Sequence, residues 1–537
     1  MKFGRRVERL LKLPETWLLM ITLMGSLVRL LWLGDHPMGL HQDEAYSAYN
    51  SWAILNYGID SFGYVRPVYY TVWGSGMSVL YSYLTMPFFA IWGVSVETIR
   101  IPQAIMGIVS IPVIYGLGKE MFQSKWMGVF FAFLLSINPW NIQQSRFGLD
   151  CNLAVPMLLL AMYFLCGYLN GRTKFLWGAA VFFGLTLYSY ALTWLVVPLI
   201  LVLSFLFFHK RISFTKDFFL PMLLLFIMAF PLFLFLAVNY DLLPEIKTSL
   251  FSIPKLPALR TEEIQFNTSV FKQRFLSLIF LLLFQNDGRW WISNNIVGTF
   301  YYISIPFAVL GALYYIKIFM EWLLKKRQFP IHFLVALWFG VGFLVGCSVD
   351  MVLFHKINYL QIPIILLSGV GIWRVGNFLR KIKLTVAVTI GVYAVCFIYY
   401  IYAQVTFPVD YETYGYPDIS HMNWYQYEEA LELAQELTDG EISIIALNHV
   451  NVMLWAKIPP QQYMDTVVMR GDAEFLEIVA FDRYLMEVRP SGDITKDETV
   501  YVYPHSINDY FAGMGYTTVH ADECYDVAYR AEVYGNN

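Results

Sequence analysis

Lysines and arginines fall in every second loop of this chain, and that alternation dictates its architecture. Eleven apolar runs lie near residues 16–34, 99–117, 126–140, 153–170, 175–190, 192–208, 218–238, 299–316, 331–348, 358–373 and 384–404. Most approach the ~20 residues a helix needs to span a bilayer. The basic loops are Lys2 to Lys12, Lys119 with Lys125, Arg172 with Lys174, Lys210 to Lys216, Lys317 to Arg327, and Arg374 to Lys383. Such loops stay in the cytoplasm. The reading is therefore an α-helical polytopic membrane protein with about eleven transmembrane helices and a cytoplasmic N-terminus. The other loops, and everything after residue 404, face outside. Composition agrees: 14% of residues are charged, against ~25% for soluble domains. The N-terminal run follows a basic stretch like a signal sequence, but no small-x-small cleavage site follows, so it reads as a retained anchor.

Residues 69–94, "YYTVWGSGMSVLYSYLTMPFFAIWGV", are apolar enough to span. A single crossing there would put every later basic loop outside. The segment is therefore expected to lie at the outer surface, or to dip in and return. Its aromatics, Gly74, Gly76 and Pro87 suit an interfacial helix. No internal repeat is visible, which argues against most transporter folds.

Residues 1–404 thus form a membrane domain and 405–537 an extracytoplasmic soluble α/β domain. In the latter, "YQYEEALELAQELTDG" (425–440) has helical period with Gly440 as a stop signal. "EISIIAL" (441–447) and "ETVYVYP" (498–504) read as strands, and "SINDYFAGMGY" (506–516) as a helix. Of five cysteines only Cys524 lies there, so this domain has no internal disulfide. The basic residues sit in short topological clusters, which gives no nucleic-acid face.

Chemistry concentrates in the outer segments. "GLHQDEAYSAYN" (39–50) sets Asp43 beside Glu44 where the first span ends. Asp43 suits the N-cap of the helix that follows; the sharper reading is a carboxylate base facing a membrane-embedded substrate. Arg66 precedes Pro67, which predicts an extended backbone, and a guanidinium there can grip a phosphate bidentately. Arg146 and Asp150 lie in "QQSRFGLD", either as an i,i+4 ion pair or toward an anionic group. His355 and Lys356 place further cations outside. Three outer segments thus offer cations to one phosphate at headgroup level. His41 near the acids leaves room for a divalent metal, but the cluster lacks a firm ligand geometry, so no cofactor is firmly implied.

Together, "GLHQDEAYSAYNSWAILNYGID", "VRPVYY", "ETIRIPQAIMGIVSIPVIYGLGKEMF" and "INPWNIQQSRFGLDCNLAVPMLLL" resemble the GT-C superfamily of membrane glycosyltransferases. The resemblance is nearest to the branch of protein O-mannosyltransferases and bacterial aminoarabinose transferases. It covers about residues 15–400 and is strongest up to residue 160. It implies a catalytic aspartate at Asp43 with Glu44 beside it, and phosphate contacts at Arg66 and Arg146. It also implies an inverting glycosyltransferase that uses a polyprenyl-phosphate sugar donor in a bacterial plasma membrane. The acceptor would be a protein, cell-wall polymer or glycolipid. One position departs: the aminoarabinose branch has a metal-binding acid before the basic-Pro pair, and here Val65 stands there. A different class, a polysaccharide polymerase or ligase with diphosphate donors, would centre its arginines in loop 239–298, which carries Arg260, Arg274 and Arg289. A lipid-linked sugar transporter would instead want ionisable residues within the spans.

Overall fold

The computed structural model describes residues 10–37, 39–72, 75–259, 264, 268–288, 297–325, 328–406, 427–445, 448–471, 476–487, 499–521 and 524–534. The chain forms two compact units. One comprises Met1–Leu33, Arg100–Phe233 and Thr261–Thr406; the other comprises Gly34–Ile99, Leu234–Arg260 and Phe407–Asn537.

Every apolar run carries a helix. Seven helices are long and apolar enough to cross a membrane: Val96–Phe122, Asp150–Leu169, Thr193–Arg211, Lys216–Asn239, Ser304–Lys325, Phe354–Phe378 and Ile382–Ala403. Pro14–Leu30, Lys125–Ser136, Phe175–Leu187 and Leu334–Gly346 are shorter. The run expected at 126–140 breaks because Asn138 starts a new helix. Its Oδ1 accepts from the N–H of Asn141 (2.9 Å), and Pro139 occupies the first helical position, where a missing N–H costs nothing.

In the first unit, burial separates inner from outer helices. Asp150–Leu169 and Phe354–Phe378 are 83% buried along their apolar windows, against 11% for Ser304–Lys325 and 17% for Ile382–Ala403. The outer ones expose Val309, Leu313, Ile316, Val388, Val395 and Ile398, a surface suited to lipid. Ser304–Lys325 approaches Gln361–Phe378 closely through glycine. A Cβ on Gly311 would meet the Leu367 carbonyl, and one on Gly371 the Phe307 carbonyl. Backbones this close need residues without side chains.

One helix was not expected. Thr268–Phe284, 17 residues long, occupies the middle of what reads as an outer loop. Arg274 on it is buried and donates from Nη1 to the Ser348 carbonyl (2.8 Å). It is therefore a packing residue rather than a loop arginine awaiting a substrate. Arg260 and Arg289 lie outside the described residues.

The second unit holds all the described strands. Strands β1 (Tyr70–Val72) and β2 (Ser75–Met77) form a hairpin, followed by the 13-residue helix Leu80–Trp92. That helix rises ~20 Å, short of the ~30 Å hydrocarbon core. Strands β3 (Ile246–Lys247) and β4 (Ser252–Ile253) pair antiparallel.

The C-terminal part is a seven-stranded mixed sheet built from β5 (Ile442–Ile445), β6 (Val468–Arg470), β7 (Glu477–Phe481), β8 (Tyr484–Glu487), β9 (Val500–Pro504), β10 (Thr517–His520) and β11 (Tyr525–Tyr529). The order is β10-β11-β9-β5-β8-β7-β6, with β5 parallel to both neighbours. Helix Tyr427–Leu437 packs on β9 and β11, and Asn508–Gly513 follows β9 after a short 3-10 turn. Both expected helices and both expected strands are present; residues 446 and 447 of the first strand lie outside the described residues. Ile445, Tyr501, Tyr503, Phe511, Tyr516 and Ala528 form a core on this sheet. The expected domain boundary at 404 falls at the end of helix Ile382–Thr406, and residues 407–426 lie outside the described ones.

Candidate active site

Asp43 and Glu44 lie in the first turn of helix Gln42–Tyr57, where the positive end of the helix dipole favours acids. The cap is His41, not Asp43. His41 Nδ1 accepts from the N–H of Asp43 (3.1 Å), and Glu44 Oε2 accepts from the N–H of His41 (3.1 Å). This reciprocal pair is a capping box with histidine in the usual Ser/Thr place. Because Nδ1 accepts, the neutral ring carries its proton on Nε2.

The two acids are therefore not equivalent. The Glu44 carboxylate is fully buried and holds the helix start. The Asp43 side chain is one-third exposed, 3.8 Å from His41 Nδ1. Of the pair, only Asp43 is placed to meet an incoming group.

The helix is fixed by the C-terminal part of its own unit. Tyr49 OH donates to the Ile458 carbonyl (2.8 Å), and Asn448 Nδ2 donates to Gln42 Oε1 (3.1 Å). Helix His449–Trp455 packs along it.

Gly58, in the left-handed region at φ 76°, ends helix Gln42–Tyr57, and a tight loop follows. Its organiser is Asp60, which sequence reading overlooked. Asp60 Oδ1 accepts from the N–H groups of Phe62 (2.9 Å) and Tyr64 (2.8 Å), the Asx-turn use of aspartate. "GIDSFG" carried that signal, an acid two residues before an aromatic and three before a glycine. Asp60 is fully buried, and among the described residues its Oδ2 has no hydrogen-bond partner.

Burial outweighs the backbone N–H groups and pushes the Asp60 carboxyl up to about 7. Between pH ~4 and 7 the unfolded chain ionises here while the folded chain keeps its proton. Stability contributed by this group therefore falls as pH rises through that window and levels off above it. Asp60→Asn should remove the trend. Measured by thermal unfolding in detergent, the variant gains on wild type between pH 5 and 8 by about 2.5 kcal/mol. A difference that does not change with pH would refute the buried-acid assignment.

Arg66 closes this loop with an exposed side chain. Its backbone is not extended, as Pro67 suggested, but left-handed at φ 39°. Anchors on both sides hold it there. Tyr64 OH donates to Glu245 Oε1 (2.5 Å), Tyr83 OH donates to the Pro67 carbonyl (2.7 Å), and the Val68 N–H donates to the Ser252 carbonyl (3.1 Å). A non-glycine residue in this region is uncommon and persists where its surroundings over-determine it, often at functional sites.

Arg146, Asp150, His355 and Lys356 belong to the first unit. Arg146 is buried, and its Nη1 and Nη2 donate to the carbonyls of Val28 (2.7 Å), Leu31 (2.8 Å) and Trp32 (2.7 Å). It thus ties down the C-terminal end of helix Pro14–Leu30, where carbonyls lack helical donors. Asp150 opens helix Asp150–Leu169, while Arg146 lies beyond the end of helix Pro139–Gln144. The two do not share a helix. Lys356 Nζ donates to Asp350 Oδ1 (2.9 Å). With half-buried His355 it sits in the 3-10 segment Phe354–Leu360, which leads into an inner helix.

Comparison with known proteins fits this arrangement. Residues 77–236 match the model of the dolichyl-phosphate-mannose-protein mannosyltransferase family. The structure is similar to ArnT from Cupriavidus metallidurans in the apo state, with TM-score 0.58 and 13% identity over 95% of this chain and 97% of that one. It is similar at TM-score 0.58 and 15% identity, with the same coverage, to that protein bound to undecaprenyl phosphate. A third likeness is to the archaeal oligosaccharyltransferase AglB from Archaeoglobus fulgidus, in complex with an inhibitory peptide and a dolichol-phosphate. There the TM-score is 0.50 at 15% identity, over 80% of this chain and 62% of that one. No curated protein matches by sequence. The chain thus shares the fold of ArnT and AglB, and residues 77–236 carry the pattern of the mannosyltransferase family model.

Proposed function

We propose that this protein moves a sugar from a polyprenyl-phosphate carrier to an acceptor hydroxyl at the extracytoplasmic face of a bacterial plasma membrane. The observation that carries this reading is the division of labour at the helix start: Glu44 is engaged in the cap and Asp43 is exposed beside it. The undecaprenyl phosphate bound to ArnT and the dolichol-phosphate bound to AglB support the donor class.

In this reaction the acceptor oxygen attacks the anomeric carbon, and the bond from that carbon to the phosphate oxygen breaks. The carrier leaves as lipid monophosphate. Asp43 takes the acceptor proton, and a single attack inverts the anomeric centre. Arg66 is the proposed contact, in the same unit as Asp43, for charge developing on phosphate; His355 and Lys356 are further candidate cations of the other unit. Arg146 serves by fixing the end of helix Pro14–Leu30, and Asp150 by starting its own helix. No metal enters the scheme. Residues 1–404 are the proposed transferase domain and 405–537 the extracytoplasmic α/β domain, with the N-terminus cytoplasmic. The polymerase or ligase reading loses Arg274, which is a packing residue.

The test is reconstitution. Purified protein in liposomes receives labelled polyprenyl-phosphate sugars or their diphosphate counterparts, with envelope extract as acceptor. Label should pass from the monophosphate donor to a product with inverted anomeric configuration. Transfer from the diphosphate donor alone would overturn the donor assignment.

A further inference from the structure

We propose that His505, His520 and Asp526 form a binding site for a zinc-type dication on the C-terminal sheet, independent of the transferase chemistry. Register brings the three together. Strands β10 and β11 pair antiparallel with His520 opposite Asp526, and β11 pairs with β9 with Asp526 opposite Tyr503. Residues directly opposite project from the same face, and so do residues two apart along one extended strand. His505, two positions beyond Tyr503 and just past the end of β9, therefore comes to the same side.

The resulting geometry is convergent. His505 Nδ1 lies 2.9 Å from Asp526 Oδ2, and His520 Nδ1 lies 2.7 Å from Asp526 Oδ1. The ligand atoms all lie within 4.8 Å of one another. The rings stand 4.7 Å apart at 67°, edge to face rather than stacked, so both Nδ1 edges turn to one carboxylate. A tetrahedral zinc with bonds of about 2.0–2.2 Å needs ligand atoms roughly 3.3 Å apart. The two histidine–carboxylate pairs need to open by a few tenths of an ångström, and any separation near the 4.8 Å limit needs to close toward that spacing.

Two imidazole nitrogens and a carboxylate oxygen form a donor set suited to zinc and its neighbours, and unsuited to magnesium, which prefers oxygen throughout. The Asp526 carboxylate is 2% exposed, so it is held in place. The two histidine side chains are more than half exposed. An ion can therefore enter from solvent, and water can complete its coordination. The alternative use of this trio is a purely hydrogen-bonded one, in which both rings donate to the buried carboxylate. Metal binding separates the two.

The experiment uses the full-length protein in detergent, freed of any polyhistidine tag and stripped with chelator, then titrated with Co2+ and afterwards Zn2+. Wild type should bind about one Co2+ per chain, with the visible absorption of a low-symmetry site, and Zn2+ should displace it and raise the unfolding midpoint. His505→Ala and His520→Ala, both at exposed positions, should each weaken binding by about 10-fold or more and abolish the Zn2+-dependent shift. Asp43→Asn should bind as wild type does, which separates this site from any metal near the acidic pair. Equal binding by wild type and the His505→Ala/His520→Ala double variant, or no binding by wild type, would overturn the proposal.

Discussion

With Asp43 as the proposed general base, Asp43→Asn is expected to lower sugar transfer by about 10²–10⁴-fold, the range for removal of such a base, and to leave the protein folded. The side chain keeps its size, stays one-third exposed and makes no capping bond, so stability has little to lose. Glu44→Gln behaves differently. The amide still offers an oxygen to the His41 N–H, and what is lost is the charge assistance and dipole interaction, about 1 kcal/mol. Transfer by Glu44→Gln therefore stays within about 10-fold of wild type, with a small drop in unfolding temperature. Initial rates in liposomes at matched protein abundance, with thermal unfolding of each variant, decide the matter. An active Asp43→Asn beside an inactive Glu44→Gln would reverse the roles assigned to the two acids.

The largest stability effect is expected at Arg29. This residue is fully buried in the first unit, on helix Pro14–Leu30. Its guanidinium donates to Asn141 Oδ1 (2.6 Å), the Ser145 hydroxyl (3.2 Å) and the carbonyls of Gly25 (3.0 Å), Ser136 (3.2 Å) and Leu135 (3.4 Å). Asn141 in turn donates to Gln361 Oε1 (2.8 Å), and Gln361 donates to Gln144 Oε1 (2.7 Å). One cation thus satisfies a polar network linking the first helix, the end of Lys125–Ser136 and the inner helix Gln361–Phe378. Arg29→Met keeps the bulk but removes all five of these bonds at once, at a cost of about 3–5 kcal/mol. The measurement is the yield of folded protein and its unfolding midpoint in detergent, with Arg29→Lys expected in between. A cost below about 1 kcal/mol for Arg29→Met would show that the network re-pairs without the guanidinium.

The membrane helices were legible because lipid demands long apolar runs and topology marks every second loop with charge. Thr268–Phe284 escaped for the same reason. Lys272 and Arg274 interrupt its start, and the apolar remainder, residues 275–284, is too short to read as a span. The acidic pair was legible as a pair, but not its internal division. Capping preferences point to aspartate, whereas the fold uses His41 with Glu44. At Arg66 the local rule for a residue before proline gave an extended backbone, and the tertiary anchors at Tyr64, Pro67 and Val68 overrode it. The short strands β6, β7, β8, β10 and β11 owe their existence to cross-strand partners more than to local pattern. The His505, His520 and Asp526 trio is invisible along the chain, since register alone assembles it.

Helix Gln42–Tyr57, which bears the candidate base, shares its packing with residues 448–458. Helix Gln42–Tyr57 and the C-terminal sheet therefore belong to one packed unit. A chimera that exchanges only the residues after 404 with those of a relative would strip Tyr49 and Gln42 of their partners and loosen the helix start that holds Glu44 in its cap. Homologues should change the two regions in step rather than one at a time.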